Sequence, residues 1–208
     1  DKANCNQKLD IWYWASVFSN AYSRSVDTRM SSDFREMRKW FDNDIEIPIP
    51  IKNARENIDR LDLRQVRSRP SAIYRGVLSL LVLQGARDFD ENREVNETSS
   101  YDVDHLFPRA LQEINLEDEK LRLGSDIESV LNVTWMTKAT NQRIKGAKKP
   151  SVYLKELLAE KYDNDEAKLL KVLKTHFINR NAYQAMLKDE MGFDQFLTER
   201  EKELKNEM

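Results

Sequence analysis

The sequence predicts a mainly α-helical fold with one embedded strand–strand–helix unit, and three observations carry that expectation. Glycine and proline are scarce, five of each in 208 residues, which disfavours turn-rich β architecture. Apolar residues recur at three- and four-residue steps along most of the chain. That pattern breaks at two short stretches, 101–108 and 131–135, which read as strands.

Taken in order, Ile11, Trp14, Ala15, Phe18, Ala21 and Tyr22 fall on one helical face. The aromatic cluster Trp12–Trp14 fits core packing better than a ligand platform on general grounds. Even so, Trp12, Tyr13 and Trp40 exceed what a single buried face needs. A second helix is expected from Asp33, which forms a capping box with Glu36, and it would bury Phe34, Met37, Trp40 and Phe41. Pro48-Ile49-Pro50 predicts an extended stretch. A third helix is expected from Pro70 to Gly85, apolar on most sides through Ile73, Val77, Leu78, Leu80, Leu81 and Val82. Residues 86–100 are polar and read as a loop with room for a short strand.

Tyr101-Asp102-Val103-Asp104-His105-Leu106-Phe107-Pro108 then reads as a strand ended by proline. Leu131, Val133 and Trp135 alternate with Asn132 and Thr134 as a second strand, and a helix follows, capped near Thr137 and closed at Gly146. Three more helices are expected: one from Pro150, one capped by Asn164, and an amphipathic one over 193–208. The chain divides on this reading into a helical region, 1–85, and a region 86–208. The latter holds the strand–strand–helix core at about 100–146 and helices over 150–208, packed with the first as one unit.

Composition narrows the class. Charged residues make up 34% of the chain, and no apolar run approaches the length of a membrane span. The start, Asp1-Lys2-Ala3-Asn4-Cys5, lacks the apolar core of a signal peptide, and a first residue of Asp points to a longer parent chain. A cytoplasmic protein without membrane association is the expectation. The single cysteine, Cys5, excludes an internal disulfide and any multi-cysteine zinc cage, and reads as an incidental thiol. The net charge of −2 looks wrong for a nucleic-acid binder, but binding follows local clustering. From Lys138 to Lys155 the chain carries Lys138, Arg143, Lys145, Lys148, Lys149 and Lys155 with no acidic residue before Lys155.

Cleaving a phosphodiester requires a base for water and a cation for charge on the phosphoryl and leaving oxygens. Histidine suits the first task because it titrates near neutrality. Carboxylate and amide oxygens suit a hard cation such as Mg2+ or Mn2+. Asp104-His105 places a carboxylate beside an imidazole, and Asn132 and Asn141 place amides on the following strand and helix. Each asparagine alone would read as a turn or cap residue. His176, by contrast, sits on an expected helix without a partner motif and reads as structural.

The spacing His105-x26-Asn132-x8-Asn141 resembles the HNH, or ββα-metal, nucleases, and the stretch from Tyr101 to Pro108 is similar to the first strand of the HNH domain in CRISPR effector nucleases. A wider likeness covers nearly the whole chain. Asn132-Val133-Thr134-Trp135-Met136, Asn141-Gln142-Arg143-Ile144-Lys145 and Lys149-Pro150-Ser151-Val152-Tyr153-Leu154 resemble the C-terminal nuclease domain of GmrSD-type restriction enzymes. Trp12-Tyr13-Trp14-Ala15-Ser16-Val17-Phe18-Ser19 with Tyr22-Ser23 resembles the helical segment that precedes it there. Phosphorothioation-linked defence nucleases of the SspE type belong to the same group.

The resemblance implies a mainly α fold around a ββα-metal (HNH, His-Me finger) unit, acting as a DNA endonuclease in prokaryotic restriction or anti-phage defence. It implies His105 as general base, with Asn132 beside it in the catalytic set, bracing the loop or orienting His105. It implies Asp104 and Asn141 as ligands of one divalent cation, Mg2+ or Mn2+, with water and phosphate oxygens completing the octahedron. Lys138, Arg143, Lys145, Lys148 and Lys149 would anchor the DNA backbone. The implied partners are DNA and an NTPase domain of ParB-like type, which this chain lacks: it has no phosphate-binding glycine loop. A catalytically inactive HNH scaffold that binds nucleic acid or a partner is the alternative, and DNA and RNA are not separable as substrates. One geometric demand follows. Adjacent strand residues point to opposite faces, so Asp104 and His105 serve one site only if the strand ends there, as Leu106-Phe107-Pro108 suggests.

Overall fold

The helical spacing in the sequence produces helices, though several begin and end away from the expected residues. A computed structural model of the chain describes residues 2–23, 25–96, 100–113, 124–144 and 148–208. It is mainly helical, and its backbone divides into two compact units. One comprises residues 1–62 and 68–76 with Met208, the other 63–67 and 77–207. The boundary expected at 85–86 thus falls within the second unit.

The first unit contains α1 (Lys2–Phe18), α2 (Val26–Asp42), α3 (Ile49–Asn57) and the first residues of α4 (Ala72–Leu83). Ala15, Met37, Trp40, Ile51 and Ala54 form its buried cluster, with Trp12, Phe41 and Ile47 packed against it. Gly76 lets α1 approach α4, since a Cβ there would lie 2.6 Å from Val17 Cγ1.

Three expectations need correction here. The first helix stops at Phe18, so Ala21 and Tyr22 follow it in a turn where Asn20 takes positive φ. The second helix begins at Val26, and Asp33 lies inside it rather than capping it. The Asp33 carboxylate, buried at 2% exposure, accepts bonds from Trp12 Nε1 (3.3 Å) and Tyr22 Oη and pairs with Arg29 (3.1 Å). Its oxygens are committed to side chains, not to helix N–H groups, and the turn of helix that carries it leaves Phe34 exposed. Finally, Pro48-Ile49-Pro50 does not extend the chain but opens α3. A proline in the first turn loses no helical bond and presets its own φ.

The second unit contains the rest of α4, then β1 (Tyr101–His105), β2 (Val133–Thr137), α5 (Lys138–Ile144), α6 (Pro150–Lys161), α7 (Glu166–Lys174), α8 (Arg180–Met186) and α9 (Phe193–Glu207). Gly85 ends the α4 segment at φ +72°, a conformation that glycine adopts without strain. β1 and β2 pair antiparallel, with Tyr101 opposite Thr137 and His105 opposite Val133. Val133, Thr134, Met136 and Thr137 are all buried, so β2 is covered on both faces rather than alternating as expected. Leu131 lies in the preceding 3-10 turn Val130–Asn132.

α5 starts where the sequence placed it: Thr137 Oγ1 accepts the Thr140 N–H at 3.2 Å. The helix end expected at Gly146 lies outside the described residues. α7 is capped by Asp165 rather than Asn164, which instead takes positive φ, and α8 was not anticipated. Around the sheet, Phe107 packs edge-on against Phe193 (4.9 Å between centroids) and against Phe196 (5.1 Å), bringing α9 beneath the turn that follows β1. No helix among the described residues is long and apolar enough to cross a membrane.

Candidate functional site

The end of β1 is where chemistry-bearing residues gather. Alternation along the strand would send Asp104 and His105 to opposite faces. Here Asp104 folds back on its neighbour: Oδ1 accepts the His105 backbone N–H at 2.7 Å and lies 3.3 Å from His105 Nδ1. β1 stops at His105, and the following residues bend away. The strand thus ends where the pair needs it to.

Asn132 makes that bend. Fully buried, it accepts the Phe107 N–H on Oδ1 (2.9 Å) and donates from Nδ2 to the carbonyls of Phe107 (3.0 Å) and Ile127 (2.9 Å). Its backbone carbonyl accepts the Leu106 N–H at 2.8 Å. With its amide committed to three backbone groups, Asn132 holds the segment that follows His105. Tyr153 of α6 adds a bond to the Leu106 carbonyl (3.1 Å), its phenol raised by burial first and Asp189 second.

Asn141 projects from α5, which packs against both strands. Its Nδ2 lies 3.5 Å from Asp102 Oδ2, a long contact, and Asp102 shares the β1 face of Asp104. Asn141 Oδ1 is buried and, among the described residues, accepts no hydrogen bond. An orphaned buried acceptor is costly unless something fills it, and an amide oxygen with a carboxylate such as that of Asp102 nearby is a donor pair that suits a hard cation. Among the described residues, no three or more His, Cys, Asp or Glu side chains converge as a metal cage. A cation held by Asp104 and Asn141 would keep most of its water, as Mg2+ does.

Sequence reasoning missed four residues around this site. Glu128, from the 3-10 turn Gly124–Glu128, brings Oε2 to 3.6 Å from His105 Nε2, a nitrogen that is buried and makes no hydrogen bond among the described residues. The Arg109 guanidinium holds Glu128 at 2.6 Å and, ahead of His105, keeps its carboxyl below the usual range. His105 therefore lies between two carboxylates, one at each ring nitrogen. Neither Glu128 nor Arg109 has a sequence signal, since both look like ordinary surface charges.

The other two, Asp88 and Arg200, are wholly buried. Burial alone would raise the Asp88 carboxyl. The N–H groups of Glu91, Thr137 and Asp90, with the Thr140 hydroxyl, outweigh that and hold it below the usual range. Asp88 thereby ties the end of β2 and the start of α5 to the 86–95 loop. Arg200 of α9 donates to the carbonyls of Leu131 (2.7 Å), Val133 (2.9 Å) and His176 (3.1 Å), gripping the backbone on both sides of Asn132. Burial lowers its guanidinium to about 9, so it remains charged at neutral pH.

The basic run is largely neutralised in space. Arg143 pairs with Asp90 (3.2 Å) and Glu160 (2.6 Å), Lys148 with Glu156 (2.7 Å) and Lys149 with Glu190 (2.8 Å). Lys138 is exposed, and Lys145 lies outside the described residues. The run looked free of acids because its partners come from distant parts of the chain.

His176 lies just past the end of α7, not on the helix. Its Nε2 is 2.7 Å from the Arg87 carbonyl, which can only accept, so Nε2 carries the proton and Nδ1 accepts from the Thr134 hydroxyl. Burial first, and Arg200 against it, push the imidazole down to about 4, although the Arg87 carbonyl and Asp88 act the other way. A histidine depressed when folded contributes stability that is complete above about 6.5 and is lost as pH falls toward about 4. Urea unfolding should therefore weaken by up to about 1.4 kcal/mol per pH unit across that window. His176→Gln should flatten the slope.

No family model matches the sequence, and no solved structure matches it. An uncharacterized protein of Methanocaldococcus jannaschii is 34% identical over 213 residues, covering 94% of this chain and 35% of the relative. The chain thus spans about a third of the length of the curated relative it matches.

Proposed function

We propose that the chain is a metal-dependent endonuclease of the HNH type acting on DNA. The observations that carry this reading are that β1 ends on Asp104 folded against His105 with Asn132 bracing the turn that follows, while Asn141 on α5 keeps an unsatisfied buried oxygen near Asp102. The order strand, strand, helix across β1, β2 and α5 supports it.

His105 takes the proton of an attacking water. With Nδ1 turned to Asp104, Nε2 meets this water once the Glu128 carboxylate beside it makes way. Asp104 and Asn141 present oxygens to one divalent cation, Mg2+ or Mn2+. When bound, the cation would supply charge stabilisation at the phosphoryl and leaving oxygens. Asn132 positions the base without touching the reaction, because its amide is committed to the Phe107 and Ile127 backbone. Lys138 is the exposed basic residue nearest in sequence to the proposed ligand Asn141 and would contact the DNA backbone, whereas Arg143, Lys148 and Lys149 would have to exchange acidic partners for phosphate.

A prokaryotic restriction or defence setting, in a cytoplasmic protein with an attached NTPase domain, belongs to the same proposal. The Methanocaldococcus jannaschii relative extends well beyond this chain, which leaves room for a further domain in that protein. The test is a Mn2+ titration followed by electron paramagnetic resonance. One saturable ion per chain is expected. Asp104→Ala or Asn141→Ala should weaken it at least about tenfold, since even outer-shell losses cost that much. Binding unchanged in both variants would remove the proposed ligands.

A further inference from the structure

Within the first unit, a cleft of about 680 Å³ opens between the end of α1 and the start of α4, a volume typical of small-molecule sites. Trp12, Tyr13, Ser16 and Asn20 line it from α1 and the turn that follows, Tyr22 closes one side, and Ser71 stands at the α4 end. We propose that this cleft binds a neutral planar heteroaromatic group of the nucleobase class.

Three features argue for that ligand. First, the aromatic walls are fixed in advance. Trp12 and Tyr22 meet edge to face, 6.3 Å apart at 86°, and both spend their polar atoms on Asp33, whose charge Arg29 offsets. Both rings line the cleft, and rings held this way stack on a ligand with little ordering cost. Tyr13 adds a third ring that is half exposed, at 53%.

Second, Ser16 is among the residues lining the cleft, is only 7% exposed, and its buried hydroxyl has no hydrogen-bond partner among the described residues. A buried, unmatched hydroxyl is a cost that a ligand with an in-plane donor or acceptor would recover. Third, no charged side chain lines the cleft among the described residues. That disfavours phosphates, carboxylates and ammonium groups, which need a countercharge when desolvated. Flat apolar faces with a neutral hydrogen-bonding edge describe a nucleobase. The neighbouring hollow on the far side of Trp12 shows the contrast: Met30, Phe34, Met37 and Phe41 line it, and it offers almost no polar surface.

This inference rests on none of the nuclease chemistry and is read by binding alone. Adenosine, guanosine, cytidine, uridine and thymidine are titrated separately into the folded chain by calorimetry. At least one should bind saturably, with Kd on the order of 0.1–1 mM. Ser16→Ala should weaken it about five- to tenfold, and Tyr13→Ala about tenfold or more. Ser16→Ala should melt as the parent does, because Ser16 has no partner to lose, and Tyr13→Ala only slightly lower, since it loses an edge contact to Trp14 from a half-exposed position. Absence of binding by all five, binding by both variants as tight as the parent's, or cyclohexanol binding as tightly as the best nucleoside would overturn the proposal.

Discussion

Replacing His105 by alanine is expected to slow DNA cleavage by about a hundred- to ten-thousand-fold, the range that a positioned general base contributes. The loss should fall on turnover and leave DNA affinity unchanged, because the imidazole is buried and the exposed Lys138 is untouched. The fold should survive. The residue 105 N–H that donates to the Asp104 carboxylate belongs to the backbone, so alanine keeps it, and Asn132 holds the following turn through residues 106 and 107. Comparing initial rates and DNA Kd for parent and variant separates these effects. An equal loss of binding and turnover would assign His105 to structure instead of chemistry.

The largest effect on stability is expected at Asn132. Alanine there leaves the Phe107 N–H and the carbonyls of Phe107 and Ile127 without partners inside a buried site. At about 1–3 kcal/mol for each orphaned group, with some relaxation, the loss should be about 4 kcal/mol in urea unfolding. Aspartate is the sharper variant. It is isosteric and keeps the acceptor for Phe107 N–H, yet it turns an oxygen toward two carbonyls where asparagine turns an NH2. It should therefore destabilise at least as much as alanine. If Asn132→Asp folds as stably as the parent and cleaves normally, Asn132 does not brace the loop as described.

These two residues also show how far the sequence could be read. The presence of strands within 101–108 and 131–135 and the Thr137 cap of α5 were legible because each rests on a local signal: a stretch ended by proline, an alternation, a cap residue. The expected capping box at Asp33 failed for the opposite reason. Its carboxylate belongs to Trp12, Tyr22 and Arg29, and nothing in the local pattern outranks a cap signal when the true partners lie eleven and twenty-one residues away.

The same limit hid Glu128 and Arg109 beside His105, and Arg200 beneath Asn132 from the last helix. It also made the basic run look free. Glu160, Glu156 and Glu190 meet it only after α6 and the segment before α9 have folded back. The Pro48–Pro50 stretch reads either way, because proline rules out a helix interior yet favours a helix start, and only the fold decides for the start of α3.

The central claim is that His105, beside Asp104 and Asn141, performs cation-dependent cleavage of DNA. Its most direct measurement is the time course of supercoiled plasmid nicking by the parent and by His105→Ala, side by side in Mn2+ and in EDTA. The account predicts that the parent converts supercoiled to open-circular DNA in Mn2+ and stops in EDTA, while the variant leaves the plasmid intact in both. Nicking by His105→Ala at the parent's rate would contradict it.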